Sequence, residues 1–329
     1  MIVITCPGFS PHGGIRILLE WANRLPDVTI LNTSARNNAP SWFNLNPSVK
    51  ITQSPLVIKG ADILIIGSPH GIKYQDYGAK RTIIFLQMME HLFKSNDTKW
   101  MNMCRQTYTS PHPMILIAHW NFSWCLKYGR IAPTYYVGNG VNLNDFPISE
   151  KSKDGRTVLL ESPIPSNAAK DIDKIGLRVA EQLRADGYRI ISYGLLPMNG
   201  ESNLVDEFHL KPSLEKLNDL YSEATIMIKA TRYDARSTAP LEAMTKGCVT
   251  ARALTYGDDD LIHGVNCLRS GYNEDDLYDN AKQLLTNESL RKQLSENCIY
   301  HVQKWSWEYY MDRIKEILFD HPNAKLSLL

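Results

Sequence analysis

Short apolar runs rich in β-branched residues alternate with helical segments through the first half of this chain. The runs occupy 1–6, 28–32, 61–67, 81–87, 114–118 and 134–138. After the first run, the segment RILLEWANRL places Ile17, Leu18, Trp21 and Leu25 close to one face of a helix. Strand and helix signals in alternation predict an α/β fold built on a parallel, doubly wound sheet.

The same alternation resumes after a polar stretch, ISEKSKDGR at 148–156, which is typical of a linker. The later apolar runs occupy 157–162, 188–194, 225–230 and 248–254. Helices are predicted near 171–185, near 213–222 and from about Pro240. Because 329 residues exceed what one core usually supports, we predict two Rossmann-like halves. A ligand is expected between them, since open parallel sheets bind ligands at the carboxyl ends of their strands.

Composition narrows the class of protein. The six cysteines are scattered, without CxxC pairs or zinc spacing, so we expect a reduced, cytoplasmic protein with no metal site. No stretch approaches 18 consecutive apolar residues, and the apolar start is too short for a signal peptide, so no membrane span is expected. Residues 1–150 carry 13 basic and 8 acidic side chains, which favours an anionic partner there, although a solvated face has the same composition.

The segment RYDARSTAPLEAMTKG at 232–247 concentrates polar groups where a buried strand meets a helix. Pro240 suits the first helical turn, and Gly247 suits the C-terminal stop. The backbone amides of 236–239 would then form a rim that binds anions and hydroxyls. A ligand site is the functional interpretation of this segment.

Two acidic residues in that segment also have structural interpretations. The structural interpretation of Glu242 is a helix N-terminal charge or a capping-box residue. A capping box needs Ser or Thr three positions earlier, and that position is Ala239, which weakens this interpretation. Asp234 fits an Asx-turn as well as a ligand contact, so both interpretations stay open for it.

Five motifs in order resemble one enzyme family. They are the pair Gly13 and Gly14, YVGNGVNLNDF at 136–146, the segment 232–247, HGVNCLRSG at 263–271, and the C-terminal stretch 284–314 with its Trp-Ser-Trp-Glu run. Together they resemble GT-B-fold, retaining nucleotide-sugar glycosyltransferases, the family of sucrose synthases, bacterial glycogen synthases and lipopolysaccharide glycosyltransferases. The resemblance implies an acceptor domain at 1–147, a donor domain at 148–304, and a C-terminal helix at 305–329 that packs back on the first domain.

The resemblance also implies roles at the donor site. The family pattern has two acidic residues separated by seven, here Asp234 in place of the usual Glu, and Glu242. Asp234 would bind hydroxyls of the transferred sugar, and Glu242 would bind the two ribose hydroxyls of a nucleotide, with UDP expected. Gly13 and Gly14 would contact the diphosphate and the sugar.

For the leaving diphosphate, the family uses an Arg and a Lys spaced by four residues. Lys170 fits the Lys, but no Arg precedes it, so Arg236 or Lys229 is the expected substitute. The rim Ser237, Thr238 and Ala239 would add backbone donors. Such electrostatic stabilisation lets the donor bond break without a protein nucleophile, and the family generally needs no metal or other cofactor.

On the acceptor side, Gln87 and Glu90 resemble a Gln-x-x-Glu segment of some family members. His70 and His119 follow predicted strands and would contact sugar, although a structural or solvated histidine fits each position too. The acid and base chemistry of His70, His119 and Glu90 keeps open a sugar-nucleotide epimerase with the same fold. A non-catalytic nucleotide-sugar binder with that fold is a further alternative.

Two stretches, 72–81 and 91–108, interleave aromatic and basic residues. They fit contact with nucleic acid, with an anionic membrane surface, or simply an exposed amphipathic helix. Two acceptor classes follow: a lipid-linked or surface glycan, or a hydroxymethylated DNA base flipped out of its stack, as in phage DNA modification in a host cytoplasm.

Overall fold

The computed structural model describes residues 1–35, 39–94, 96–149, 153–162, 171, 173–198 and 202–319. The chain divides into two compact units, each with its own parallel sheet. The first unit comprises Met1–Asn139 and the segment from Trp307 onward, and the second comprises Gly140–Ser306. The boundaries between the two units thus follow Asn139 and Ser306. The sequence predicted domain boundaries after residues 147 and 304.

The first unit contains a sheet of seven parallel strands among its described residues. They are β1 (Ile2–Cys6), β2 (Val28–Asn32), β3 (Lys50–Thr52), β4 (Ile63–Ile66), β5 (Arg81–Leu86), β6 (Met114–Leu116) and β7 (Thr134–Tyr136). Their order is β3-β2-β1-β4-β5-β6-β7. The six predicted runs all contain strands, because parallel sheets bury apolar residues on both faces. The edge strand β3 is short and partly exposed, so no apolar run predicted it.

In the second unit the described residues form a six-stranded parallel sheet. Its strands are β8 (Thr157–Glu161), β9 (Arg189–Gly194), β10 (Glu207–Leu210), β11 (Ile226–Tyr233), β12 (Val249–Tyr256) and β13 (Cys267–Ser270). The order is β10-β9-β8-β11-β12-β13. After β8, the strands β9 and β10 are added on one side and β11 to β13 on the other, so the strand order reverses between β8 and β11 although all strands are parallel. Such a reversal opens a crevice at the carboxyl ends of the strands, where α/β proteins bind ligands.

Helices connect the strands as the sequence predicted. They are α1 (Gly13–Arg24), α2 (Thr98–Tyr108), α3 (His119–Lys127), α4 (Ile175–Ala185), α5 (Leu214–Glu223), α6 (Thr238–Met244), α7 (Glu274–Thr286), α8 (Glu288–Lys304) and α9 (Trp307–Phe319). The apolar face of α1 is buried, and its Trp21 ring stacks on Phe85 of β5 at 4.1 Å between centroids. Within the described part of the chain, no helix has both the length and the apolar character needed to cross a membrane.

The last helix belongs to the first unit. Arg81, at the start of β5, donates hydrogen bonds to the carbonyls of Ile317 and Leu318 at 2.9 and 2.7 Å. A guanidinium is favourable there, because the last carbonyls of a helix carry partial negative charge. Arg24 of α1 lies over the Trp307 ring at 5.7 Å. The C-terminal helix therefore packs back on the first domain, as predicted.

Candidate functional site

The predicted glycine pair lies at the carboxyl edge of the first sheet. Gly13 and Gly14 begin α1 and are exposed. A Cβ atom at Gly14 would lie 3.0 Å from Oε1 of Gln87, the residue after β5. The Gln87 Nε2 donates to the Gly67 carbonyl at 3.4 Å, and its buried Oε1 has no hydrogen-bond partner among the residues that the structure describes. The fold thus brings together Gly14 and Gln87, predicted from separate motifs.

His70 and Glu90 both lie beside Trp100. The His70 ring is 5.0 Å from the Trp100 ring, and the Trp100 Nε1 donates to the Glu90 carbonyl at 2.9 Å. Partial burial, with the charges of Lys94 and Lys73, lowers the pKa of His70. Burial raises the pKa of the Glu90 carboxyl to about 8. Both groups are therefore mostly neutral near pH 7, and a neutral carboxyl can donate a hydrogen bond as well as accept one.

His119 lies elsewhere on the first sheet. It is the first residue of α3, and its ring lies 3.9 Å from the Tyr136 ring at the end of β7. Because α3 follows β6, His119 stands three strands from β1. The sequence grouped it with His70, but the fold separates the two along the sheet edge.

In the second unit, Asp234 follows β11 directly and is 8% exposed. Its Oδ1 accepts from the Ala235 amide at 3.1 Å, and its Oδ2 accepts from the Ser237 hydroxyl at 2.6 Å. Both bonds are local, but neither is the bond to the backbone two residues on that defines an Asx-turn. They fix the carboxylate at the carboxyl edge of the sheet, and its contact with a ligand stays a prediction.

Sequence reasoning missed Arg252, which organises this loop. Its guanidinium is fully buried on β12. The Nε lies 2.6 Å from Asp258 Oδ2, and an Nη lies 3.6 Å from Asp234 Oδ2. It also donates to the Thr231 hydroxyl at 2.7 Å. The sequence does contain one arginine within the apolar run CVTARAL. Because a charge in a buried strand needs a charged partner, this arginine indicates a buried ion pair.

Lys229 lies opposite Arg252 in the register of β11 and β12. Its ammonium forms an ion pair with Glu161, the last residue of β8, so the pair spans the point where the strand order reverses. Burial lowers the pKa of Lys229 to about 8. Two buried cations side by side explain why three carboxylates, from Glu161, Asp234 and Asp258, converge here.

The start of α6 is already bonded to a carboxylate. The amide of Ser237 donates to Asp258 Oδ1 at 2.6 Å. Thr238 and Ala239 follow as the first residues of α6. Gly257 allows the close approach of the β12 loop, because its φ is +125° and a Cβ there would lie 1.9 Å from the Asp234 carbonyl oxygen. The residues of the predicted rim therefore form a strand-to-helix turn in which the Ser237 amide is bonded to Asp258, and their binding of anions and hydroxyls stays a prediction.

Arg236 is buried and neutralised within the second unit. Its side chain is 1% exposed, and its Nε lies 2.7 Å from Asp260 Oδ2. The guanidinium also lies over the Trp305 ring at 5.4 Å from the centroid. The Nε side of this guanidinium is thus already occupied by a carboxylate of the protein.

Glu242 lies within α6 and is 7% exposed. Its Oε2 accepts a hydrogen bond from the Tyr221 hydroxyl at 3.0 Å, and that hydroxyl lies 3.0 Å from the hydroxyl of Tyr193. The sequence analysis missed both tyrosines. A tyrosine at the end of a buried strand or on a buried helix face does indicate a hydrogen bond, because its buried hydroxyl needs a partner.

Lys170 and the segment 163–170 lie outside the described residues. The next helix is capped by protein, since Asp171 accepts from the amides of Ile175 and Gly176 at 2.9 and 2.8 Å. Among the residues with described positions, no group of three or more His, Cys, Asp or Glu side chains is arranged to hold a metal ion.

The chain was compared with known proteins. No protein-family profile matches it, and no curated protein matches it by sequence. Solved structures do match. Anabaena HepE in complex with UDP-glucose aligns with a TM-score of 0.75 at 13% identity, over 97% of this chain and 99% of HepE. WaaG, a glycosyltransferase involved in lipopolysaccharide biosynthesis, aligns with a TM-score of 0.72 at 13% identity, over 97% of this chain and 100% of WaaG.

A third similar structure is larger than this chain. A variant of S. aureus TarM, in complex with fondaparinux, α-GlcNAc-glycerol and UDP, aligns with a TM-score of 0.65 at 15% identity over 80% of this chain. The chain spans 57% of the length of TarM. At these identities the likeness establishes the fold, which is GT-B, with two Rossmann-like parallel-sheet domains as the sequence predicted.

Proposed function

We propose that this chain is a retaining glycosyltransferase that moves a sugar from a nucleoside diphosphate sugar, with UDP as the nucleotide, to an acceptor hydroxyl. The observation that carries the proposal is the placement of Asp234 and Glu242 beside the strand reversal of the second sheet. Both carboxylates are buried and fixed by hydrogen bonds. Similar structures hold UDP-glucose in HepE and UDP in TarM, which supports a UDP-sugar donor.

The second unit is the proposed donor domain, with two carboxylates that bind hydroxyls. Glu242 binds the ribose hydroxyls, and Asp234 binds hydroxyls of the transferred sugar, because an ionised carboxylate is an acceptor with several lone pairs. Arg252 and Ser237 hold Asp234 in one position before the sugar arrives. Such preorganisation lowers the reorganisation needed at the moment of bond breaking.

Positive charge and backbone amides stabilise the leaving diphosphate. We assign this role to the amides of Thr238 and Ala239, to Lys170, and to Arg236 once the phosphate displaces Asp260. The Gly13 and Gly14 amides at the start of α1 are proposed as further donors, since the N-terminal end of a helix attracts anions. The donor C–O bond then breaks without a protein nucleophile, and we propose that no metal or other cofactor is required.

The first unit is the proposed acceptor domain. Gln87, Glu90, His70 and His119 are the proposed acceptor contacts. The neutral Glu90 carboxyl suits hydrogen bonding to a sugar hydroxyl, because it donates and accepts. Two acceptor classes remain: a lipid-linked or surface glycan, which the TarM complex with α-GlcNAc-glycerol supports, and a hydroxymethylated base in DNA, which the basic first half supports.

The test incubates the protein with UDP-sugars and GDP-sugars, alone, with glycan and lipid-linked acceptors, and with hydroxymethylated duplex DNA. Mass spectrometry then measures free nucleoside diphosphate and the mass of each acceptor. We expect UDP release together with a hexose or pentose mass gain on one acceptor, and retained anomeric configuration by NMR. Epimerised donor without diphosphate release would identify an epimerase instead, and tight binding without either product would identify a non-catalytic nucleotide-sugar binder.

A further inference from the structure

Two buried tyrosines brace the carboxylate of Glu242. Tyr221 is 1% exposed, Tyr193 is 8% exposed, and their hydroxyls lie 3.0 Å apart. The Tyr221 hydroxyl lies 3.0 Å from Glu242 Oε2. The three side chains come from β9, α5 and α6, so the chain of hydrogen bonds joins three elements that are distant in sequence.

The hydrogen bonds in this chain have one direction. A phenol has a single proton and therefore donates only one hydrogen bond. Tyr221 donates that hydrogen bond to Glu242 Oε2, so the hydroxyl of Tyr193 must donate to the oxygen of Tyr221. Burial is the main cause that raises the pKa of Tyr193 and of Tyr221, so both hydroxyls stay protonated.

The brace acts on one oxygen of the carboxylate. The ring of Tyr221 is held by packing against Phe146 at 6.0 Å and against Tyr193 at 6.1 Å between centroids. With Oε2 fixed to a rigid phenol, the plane of the carboxylate is fixed as well. A carboxylate of fixed plane can accept from two neighbouring hydroxyls at once, whereas a rotating one loses that geometry.

We propose that Tyr221, held by Tyr193, is a positioning residue that orients Glu242 toward the ribose and so makes the site select ribonucleotides over 2′-deoxyribonucleotides. The inference rests on the proposed donor role of Glu242. Selection of this kind follows from the cost of leaving a buried acceptor unpaired when a ligand hydroxyl is missing. Tyr221 touches Glu242 and acts on the nucleotide only through it.

Calorimetric titration of UDP and 2′-deoxy-UDP tests the assignment. We expect the wild type to bind UDP roughly tenfold or more tightly than 2′-deoxy-UDP, since one hydrogen bond to a charged group is involved. Y221F is expected to weaken UDP binding by about tenfold and 2′-deoxy-UDP binding by much less, which brings the ratio toward one. A residue that only supports the fold would weaken both ligands equally.

Two further variants complete the experiment. Y193F keeps the bond from Tyr221 to Glu242 but removes the donor behind it, so a smaller fall of the same ratio is expected, and this variant serves if Y221F does not fold. Y278F removes another tyrosine-to-carboxylate bond of the second unit, the 2.6 Å contact with Asp186 at the opposite end of the sheet, and should leave the ratio unchanged.

The outcomes separate this inference from the proposed function. If the wild type binds neither nucleotide, the proposed function fails and the inference fails with it. If the wild type prefers UDP but Y221F and Y193F keep the full preference, the positioning role is wrong while the donor site stands. A loss of preference in the two brace variants, but not in Y278F, supports the assignment.

Discussion

The Nε of Arg252 lies 2.6 Å from Asp258 Oδ2, and both side chains are almost fully buried. The same Asp258 accepts the Ser237 amide at the start of α6, and the same Arg252 approaches Asp234. One ion pair therefore connects β12, the β11 loop and α6. The loop that carries Asp234 is therefore held by buried, charge-assisted contacts within the second unit.

Replacement of Arg252 by Met is expected to destabilise the protein by about 3–5 kcal/mol, because removal of one partner leaves buried carboxylates without their counter-charge. Urea unfolding measures the change. Arg178→Met is the matched control, since Arg178 pairs with Glu274 in a half-exposed position and such pairs contribute about 0–1 kcal/mol. Equal losses in the two variants would contradict the organising role of Arg252.

Gly257→Ala is expected to disturb the loop that carries Asp234. The new Cβ would lie 1.9 Å from the Asp234 carbonyl oxygen, at a φ of +125°. We expect a loss of about 3 kcal/mol or more in the free energy of unfolding, and weaker UDP-sugar binding. Gly264→Ala has a positive φ but no atom within 4 Å of its Cβ, so a loss of about 1 kcal/mol is expected. A mild effect at Gly257 would show that the loop adjusts freely.

The Glu90 carboxyl gives a pH dependence with a definite sign. Its pKa rises from 4.5 to about 8 on burial, so the folded protein keeps a proton that the unfolded chain loses. Stability contributed by this group is therefore lost as the pH rises from about 4.5 to about 8. Glu90→Gln stays neutral, so its stability relative to the wild type should increase by up to about 1.4 kcal/mol per pH unit in that window. Urea unfolding at pH 5, 6.5 and 8 measures it, and a constant difference would contradict a desolvated, protonated Glu90 carboxyl.

Much of the fold could be predicted because the central strands of a parallel sheet have a recognisable pattern in the local sequence. Every predicted apolar run contains a strand, since strands buried on both faces need continuous β-branched residues. The strands β3, β10 and β13 gave no such signal, because they are short edge strands with partly exposed residues. Such edge strands form because they pair with a neighbouring strand that is distant in sequence, so a short stretch of sequence does not predict them.

The candidate site was predictable only where its residues are adjacent in sequence. Asp234 and Glu242 share one loop and helix, so their spacing was visible. Arg252, Tyr193 and Tyr221 reach the site from other elements, and their roles depend on register and side-chain direction. The same limit applies to Arg236, whose partner Asp260 lies across a turn that the sequence did not define.

Turnover by Asp234→Asn tests the central claim most directly. The substitution keeps the shape of the side chain but removes its charge, and Asp186→Asn, which alters a distant carboxylate of the same unit, is the control. With a UDP-sugar and its acceptor, we expect the rate of UDP release to fall by roughly 100-fold or more in Asp234→Asn while the affinity for UDP is kept. Asp186→Asn should match the wild type. Wild-type turnover by Asp234→Asn would contradict the assignment of this loop as the sugar-transfer site.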